Sequence, residues 1–172
     1  IVSPNWTGGL TNTVRYKAFD LSALVDARVG GQLWSATNRF GTYAGILKST
    51  LVGRDTGIVM QGVDATGAAV TARVSAEDYF KAIHGIEENF VYDASYVKLR
   101  EVRLGWNVPQ SLTQRMNNYR MNVALVGRNL WTHSKAPNID PEAAFSAGNS
   151  QGIEFGQLPA TRSIGFQVNV TP

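Results

Sequence analysis

The sequence contains no cysteine and no long apolar segment. Without cysteine, the chain has no disulfide framework, no thiol nucleophile and no thiolate metal site. No stretch approaches the roughly 20 apolar residues that a membrane-spanning helix requires, so strands would make any crossing of a bilayer. The 16 basic residues outnumber the 13 acidic ones, but they are scattered along the chain. Because no basic patch forms, we do not expect nucleic acid as a partner.

Residues with the usual catalytic spacing are also absent from the sequence. His84 and His133 have no His/Glu pair at metal-ligand spacing around them, and no nucleophile-elbow glycine pattern surrounds any serine. We therefore predict neither enzyme activity nor a cofactor. One weak cation site is Ca²⁺ bound by Asp140 and Glu142 in a loop. The competing interpretation is a proline turn capped by the same two carboxylates.

The sequence does have a clear alternation of apolar and polar residues. It is clearest between Asp93 and Pro109, where Val102, Leu104 and Trp106 share one face. The apolar side changes near Arg100-Glu101, as a β-bulge or a change of environment along a long strand would produce. Five strands are predicted, over residues 10–18, 20–29, 94–107, 119–131 and 161–171. The first two form a hairpin with a tight turn at residues 17–20, after a turn-rich entry at residues 1–9.

The connections between these strands alternate between short and long. The long ones cover residues 32–89 and 132–157. In a compact soluble domain such a loop is uncommon, whereas outer-membrane barrels combine long extracellular loops with short periplasmic turns. The predicted fold is therefore all-β, a transmembrane antiparallel β-barrel. Within the first long loop we predict a small hairpin (58–62 with 70–74) and a short helix (76–84). Residues 110–118 are predicted to form one or two helical turns.

Aromatic and charged residues fit this fold. Aromatic girdles mark the two interfaces of a membrane barrel, and aromatic residues lie near both ends of the predicted strands. They are Trp6, Tyr16, Phe19, Trp34, Trp106, Tyr119 and Trp131. The polar face of the first hairpin carries charged residues, which is typical of a water-filled lumen. These are Arg15, Lys17, Asp20, Asp26 and Arg28.

Several motifs, in order, resemble the C-terminal end of SusC/RagA-type TonB-dependent transporters. They are DASYVKLREVRLGWNVPQSL (93–112), VALVGRNLW (123–131), NIDPE (138–142) and LPATRSIGFQVNV (158–170), preceded by a similar hairpin at 4–31. The resemblance implies a 22-stranded barrel plugged by an N-terminal domain, of which this chain would supply the last five strands. Five strands cannot close a barrel in lipid, so we expect the rest of the barrel and the plug as partners.

The resemblance also implies a function in the bacterial outer membrane. Such transporters import oligomeric nutrients, glycans or peptides. The inner-membrane proton gradient supplies energy through TonB, which would contact the absent N-terminal part, and a SusD-like lipoprotein acts as a lid. Candidate substrate contacts lie in the first long loop, since aromatic faces stack on sugar rings and Asn or Arg side chains bond hydroxyl and peptide groups. They are Trp34, Asn38, Arg39 and Tyr43.

Two alternative functions remain open at this stage. One is an outer-membrane barrel with a structural or assembly role, which shares the fold and differs in its partners. The other is a soluble β-sandwich that binds carbohydrate through Trp34 and Trp131. The sandwich would explain the strands and tryptophans without a membrane. It explains poorly the charged strand face and the alternation of short and long connections.

Overall fold

A computed structural model describes residues 1–114, 119–143, 146, 148 and 150–171. Its strands are β1 (Trp6–Tyr16), β2 (Phe19–Val29), β3 (Gln32–Ser35), β4 (Ile58–Val63), β5 (Ala69–Val74), β6 (Val91–Asp93), β7 (Tyr96–Asn107), β8 (Arg120–Ser134), β9 (Ile153–Glu154) and β10 (Ser163–Thr171). Its helices are α1 (Ala36–Tyr43), α2 (Ala76–His84) and α3 (Gln110–Thr113), with 3₁₀ turns at Lys48–Leu51 and Glu87–Phe90. The chain divides into two compact units, here called the sheet unit (1–31, 93–142, 158–172) and the loop unit (32–92, 143–157).

The sheet unit is built on one antiparallel sheet of five long strands. Their order is β1-β2-β7-β8-β10, so each strand pairs with the long strand that precedes it in the chain. β1 and β2 are joined by Lys17-Ala18 alone, and Lys17 takes a positive φ of 53° to close the turn. The predicted ranges 10–18, 20–29, 94–107, 119–131 and 161–171 overlap these five strands, with differences at the ends.

The largest of these differences is at the start of β1. The entry Trp6 to Gly9 was predicted as a turn because of its glycine pair, but it is strand and pairs with β2 up to Trp6 opposite Val29. Gly8 serves a packing purpose instead. A Cβ at Gly8 would lie 2.4 Å from the Trp6 ring, so the glycine makes room for the indole along the strand.

Of the two interpretations of the side change near Arg100-Glu101, the structure shows the β-bulge. The register of β7 shifts against β2 between Leu24 and Val25, and against β8 between Leu99 and Glu101. Arg100 is the extra residue in β7, and the inside–outside alternation of side chains is regular before it and after it. As a result Val102 and Leu99 both continue the apolar face, although three positions separate them.

One face of this sheet is mostly apolar and largely exposed. The cross-strand register aligns apolar residues from all five strands, and their exposure runs from 36% at Val25 to 85% at Phe166. This face includes Leu10, Val14, Leu21, Val25, Leu104, Leu125, Ile164, Phe166, Val168 and Val170. Such a large exposed apolar surface is unusual for a protein in water, since contiguous patches on soluble monomers rarely exceed a few hundred Å².

The loop unit is held together by caps and short strands. A small sheet has the order β6-β3-β9, with β3 and β9 parallel, and β4 pairs with β5 in a separate hairpin. Ser35 and Ser75 cap α1 and α2, their hydroxyls accepting from the backbone N–H of Asn38 and Asp78. α2 ends at Gly85. No helix in the described part of the chain is long and apolar enough to cross a membrane.

Some secondary-structure elements of the loop unit were predicted from the sequence, and others were not. The predicted hairpin and the helix 76–84 correspond to β4, β5 and α2. α1 and the small sheet were not predicted, because residues 32–43 show no apolar periodicity. In the sheet unit, the helical turns predicted over 110–118 begin as α3, and residues 115–118 lie outside the described residues.

Candidate functional site

The polar face of the sheet carries a connected set of charged side chains, and its centre is Lys98. This lysine is 2% exposed. Its Nζ lies 2.6 Å from Asp140 Oδ1 and 2.6 Å from Glu142 Oε2. β7 supplies the lysine, and the segment after β8 supplies both carboxylates. One buried cation therefore fixes the loop segment 138–142 against the strand.

Glu142 is shared by three donors from β7. The Tyr96 hydroxyl donates to its Oε1 at 2.9 Å, and Arg100 Nη1 donates to its Oε2 at 2.7 Å, beside the ammonium of Lys98. Arg100 also donates through Nε to Asp26 on β2 at 2.9 Å. Arg100 is the residue at the β-bulge, so the bulge directs this guanidinium to where it can bridge β2 and the loop segment.

The two loop carboxylates are held in their ionised form. Burial raises the pKa of Glu142, but hydrogen bonds from Arg100, Lys98 and Tyr96 outweigh it and lower the pKa to about 2. For Asp140, burial likewise acts upward, yet bonds from Lys98 and from the backbone N–H groups of Glu142 and Ala160 lower the pKa. These carboxylates are compensated by fixed donors, as buried charges must be.

These contacts bear on the predicted calcium site at Asp140 and Glu142. Both carboxylates accept from cationic side chains, so a Ca²⁺ ion would have to displace Lys98 and Arg100. Within the described ranges, no group of three or more His, Asp or Glu side chains is arranged to hold a metal ion. Calcium binding stays a prediction, and the carboxylate-capped turn is the arrangement present.

A second polar cluster lies at the end of the sheet nearest the β1–β2 turn. Asp20, on β2, is 9% exposed and accepts from Arg103 on β7. Arg103 also donates to Asn122 on β8, whose Nδ2 donates to Asn107 Oδ1 at 2.9 Å. Gly105 allows this packing, because a Cβ there would lie 2.6 Å from both Asp20 oxygens. The cluster joins three neighbouring strands across the polar face.

In these polar clusters, oppositely charged side chains contact each other. Few of their charged groups are therefore available to bind or react with a substrate. Arg128 and Glu101 add a further pair between β8 and β7 at 2.8 Å. Side chains that satisfy one another suit a rigid, hydrated wall better than acid–base catalysis, which needs a group poised to exchange a proton. An apolar exposed face backed by a charged face is the pattern of a membrane barrel wall.

The predicted interface aromatics fall into two groups and one exception. Tyr16 pairs with Phe19, and Phe19 with Trp106, so these three lie together at the turn end of the sheet. Tyr119 directly precedes β8, which starts at this end. Trp6 and Trp131 lie toward the other end of the sheet, opposite Val29 and Leu99. The exception is Trp34, which belongs to the loop unit.

The four predicted substrate contacts all lie in the loop unit, with different environments. Trp34 Nε1 donates to Glu87 at 2.9 Å, and Arg39 forms an ion pair with the same carboxylate at 2.9 Å. Asn38 is 1% exposed. Tyr43 is 50% exposed and lines a cavity. The contact roles of Trp34, Asn38, Arg39 and Tyr43 stay predictions.

Sequence reasoning missed the network around Lys98. The alternation places Lys98 and Arg100 on the same side of β7, and Asp140 and Glu142 form an acidic pair in NIDPE. Those signals are separated by about forty residues. Only the strand register and the bulge show that they meet.

Comparisons with known proteins place this chain beside two curated relatives, although no family model matches it. TonB-dependent receptor P3 of Formosa agariphila is 28% identical over 176 residues, covering 98% of this chain and 16% of the receptor. TonB-dependent receptor P26 of the same organism is 26% identical over 181 residues, covering 98% of this chain and 17% of the receptor. The chain thus spans less than a fifth of the length of these relatives.

Solved structures show the same architecture. The RagAB peptide importer in its closed-closed state aligns with a TM-score of 0.63 at 20% identity, over 96% of this chain and 17% of that chain. The RagAB peptide transporter gives a TM-score of 0.63 at 20% identity, over 96% and 16%. At this identity the likeness establishes the fold, and this chain aligns with about a sixth of each of those chains.

Proposed function

We propose that this chain, which is homologous to the TonB-dependent receptors and corresponds to a fragment of them, forms barrel wall and loops of an outer-membrane transporter. The transporter imports oligomeric nutrients, glycans or peptides. The observation that carries the proposal is the two-sided sheet. Five paired strands expose apolar side chains on one face and hold compensated charges on the other.

The apolar face has the dimensions of a membrane span. Trp6 and Tyr16 are the first and last residues of β1. At about 3.3 Å per residue they are roughly 33 Å apart along the strand. A tilt near 40° reduces that to roughly 25 Å of height, the thickness of the apolar band in outer-membrane barrels. The aromatic ends of the strands then lie at the two interfaces.

The charged face suits the inside of the same barrel. Charges facing lipid are costly, whereas charges facing a hydrated lumen are ordinary. The segment 138–142, held by Lys98 and Arg100, packs on this inner face and narrows the lumen beside the wall. In this proposal the loop unit belongs to the extracellular side, because it is inserted in the long connections between strands.

The partners follow from the same proposal. β1 and β10 are the edges of the sheet, and unpaired strand edges cannot remain in hydrocarbon. The rest of the barrel therefore adjoins them, and the resemblance to SusC/RagA-type transporters implies a plug inside the barrel. TonB supplies energy through another part of the protein, and a SusD-like lipoprotein covers the extracellular mouth. The resemblance of the motifs and the homology to TonB-dependent receptors support these partners.

The exposed apolar face of the sheet argues against the soluble-sandwich hypothesis. A sandwich buries one face of each sheet against another sheet. Here the apolar face is exposed from β1 to β10, with Phe166 at 85%. The structural-barrel alternative predicts the same two-sided sheet. An uptake experiment distinguishes it from a transporter.

The test is uptake by cells that lack the gene. We expect a deletion strain to lose growth on the oligomeric nutrient, whether glycan or peptide, and to keep growth on its monomers. The gene supplied in trans restores growth on the oligomer. If the deletion strain grows equally on oligomers of both classes, and its outer membrane becomes permeable or loses other proteins, the structural-barrel alternative replaces the transporter.

A further inference from the structure

The hairpin of the loop unit consists of two strands that pair only with each other in the described part of the chain. β4 and β5 are paired from Ile58 opposite Val74 to Val63 opposite Ala69. All residues of the two strands are exposed, apart from Ile58 and Val74 at the base. A hairpin of this kind is marginally stable in water unless a third strand or a helix packs against it. The described residues do not supply that element.

The turn of this hairpin fixes which backbone groups point outward. The N–H of Asp64 donates to the Ala68 carbonyl at 3.0 Å, across the hairpin. Backbone groups of successive strand residues point to alternate sides, so the inward set on β4 is Ile58, Met60 and Gly62. The outward set is Val59, Gln61 and Val63 on β4, and Ala69, Thr71 and Arg73 on β5.

Both outer edges of the hairpin are open. None of the outward backbone groups has a hydrogen-bond partner among the residues that the structure describes. Each edge therefore offers a row of N–H and C=O groups to which another extended segment can pair.

The two edges differ in their protection against unwanted pairing. Proteins guard exposed edges with charged side chains, and the β5 edge carries Arg73. β4 has the sequence IVMQGV, without a charge or a proline. Six residues of this composition form the kind of edge that aggregates when it is left bare. We therefore expect the β4 edge, and not the β5 edge, to be covered in the intact protein.

One face of the hairpin gives the same indication. The register places apolar side chains on the face that contains Met60, and Met60 and Val70 are 42% and 43% exposed. They line a shallow cavity of about 270 Å³ beside Gly62 and Ala72. The opposite face carries Gln61, Thr71 and Arg73. A strand added to β4 would continue both faces if its own residues alternate between apolar and polar.

We propose that β4 pairs with a β-strand from another part of the same polypeptide, which makes the hairpin a sheet of three strands. This strand has about five or six residues of alternating polarity. The inference rests on the proposed function in taking the chain as one part of a transporter. Much of that polypeptide lies outside this chain, which covers 16% and 17% of its two curated relatives. A partner that dissociates, such as a lid or a nutrient peptide, would leave the uncharged edge bare at intervals.

The test is hydrogen exchange of the intact, detergent-purified transporter alone, resolved to single residues by mass spectrometry. Gln61 and Thr71 lie opposite each other, and both N–H groups point outward, so Thr71 is the internal reference. After correction for intrinsic rates, we expect Gln61 to exchange at least about tenfold more slowly than Thr71. Equal rates at the two residues, whether fast or slow, would overturn the proposal.

Two additions to the same sample identify any other occupant of the edge. One is the SusD-like lipoprotein, and the other is a tryptic digest of casein as a mixture of oligopeptides. Neither should change the exchange of Val59, Gln61 or Val63. Protection that arises only after one of these additions assigns the edge to that partner and overturns the proposal.

A pair of proline variants tests the edge by a different property. Proline is tolerated in a strand where its missing N–H faces solvent, and not where that N–H is paired. Gln61→Pro should speed exchange at Val59 and Val63 by about tenfold, whereas Thr71→Pro, the matched control, should leave both rates unchanged. Met60 and Gly62, whose N–H groups point inward, report whether the hairpin itself remains folded. Equal effects of the two variants contradict the proposal, and the exchange of the unsubstituted protein tests it without any variant.

Uptake distinguishes this inference from the proposed function. A transporter that imports oligomers but exchanges Gln61 as fast as Thr71 contradicts the inference alone. A protein that protects Gln61 but does not import oligomers contradicts only the proposed function.

Discussion

The sheet unit and the loop unit are stabilised in different ways. In the sheet unit, backbone pairing runs through five long strands, and charged groups on one face compensate each other across strands. The loop unit depends on two helix caps, two short sheets and a few side-chain bonds such as Ser35 to Glu154 at 2.6 Å. A substitution in the sheet unit should therefore act on the whole wall, whereas one in the loop unit should act locally.

The largest effect is expected where the sheet unit buries a charge. Lys98→Met removes the ammonium between Asp140 and Glu142 and leaves two carboxylates close together. Breaking a buried ion pair costs about 3–5 kcal/mol. We expect a lower melting temperature in detergent and faster proteolysis within 138–142.

Lys135→Met is the matched control for this substitution. Lys135 pairs with Asp93 at 2.7 Å, but its side chain is 62% exposed. Exposed pairs contribute less than about 1 kcal/mol. Equal destabilisation by the two substitutions would contradict the central position given to Lys98.

The next effect distinguishes the two faces of the sheet. Phe166 and Gln167 are neighbours on β10 and lie on opposite faces. An arginine near the middle of the lipid-facing surface costs about 2–4 kcal/mol, while one facing the lumen costs little. Phe166→Arg should therefore reduce the folded, heat-modifiable form recovered in outer membranes, and Gln167→Arg should not. Similar yields for both variants would argue against lipid on the apolar face.

A smaller effect is expected from packing within the polar face. Gly105→Ala places a methyl group 2.6 Å from the Asp20 carboxylate oxygens, and overpacking of this kind costs about 1–3 kcal/mol. Gly165→Ala on β10 meets no atom within 4 Å in the described structure. Thermal unfolding of both variants should show a loss for Gly105 and almost none for Gly165. The opposite order would mean that the Asp20 cluster is not packed as described.

The smallest effect belongs to the loop unit. Ser75→Ala removes the hydroxyl that accepts from the Asp78 N–H at 3.0 Å, at a cost of about 1 kcal/mol. Ser75→Gly should cost only about a few tenths of a kcal/mol. Hydrogen exchange should speed up in α2 for the alanine variant and remain unchanged in β7. Faster exchange throughout the strands would show that the two units are not independent in stability.

The difference between the sheet unit and the loop unit also explains which secondary-structure elements could be predicted from the sequence. Period-two alternation arises wherever one face of a strand is apolar, so β7 and β10 were evident, and the side change at Arg100 indicated the bulge. Helix α1 carries no such pattern, and Thr37, Asn38 and Gly41 are also weak helix formers. It is stabilised by the Ser35 cap and by Glu154, which is more than a hundred residues away in the chain.

For the candidate site, too, the sequence predicted local patterns but not the contacts between distant segments. The charged face of the first hairpin followed from alternation, and Asp140 and Glu142 were recognised as a carboxylate pair. Their binding to Lys98 was not predictable, since contacts between strand and loop depend on register rather than on local pattern. Gly8 was misassigned for a related reason. Two adjacent glycines favour a turn, and only the neighbouring Trp6 ring explains Gly8 in a strand.

Site-directed spin labelling along β10 tests the two-sided wall most directly. This chain contributes no cysteine, so single cysteines can be placed at positions 164 to 169 of the protein in lipid vesicles and labelled. We expect accessibility to oxygen, which concentrates in hydrocarbon, to peak at Ile164, Phe166 and Val168. Accessibility to a water-soluble nickel chelate should peak at Gly165, Gln167 and Asn169. Equal access of the nickel chelate to both sets would contradict a sheet with lipid on one face and a lumen on the other.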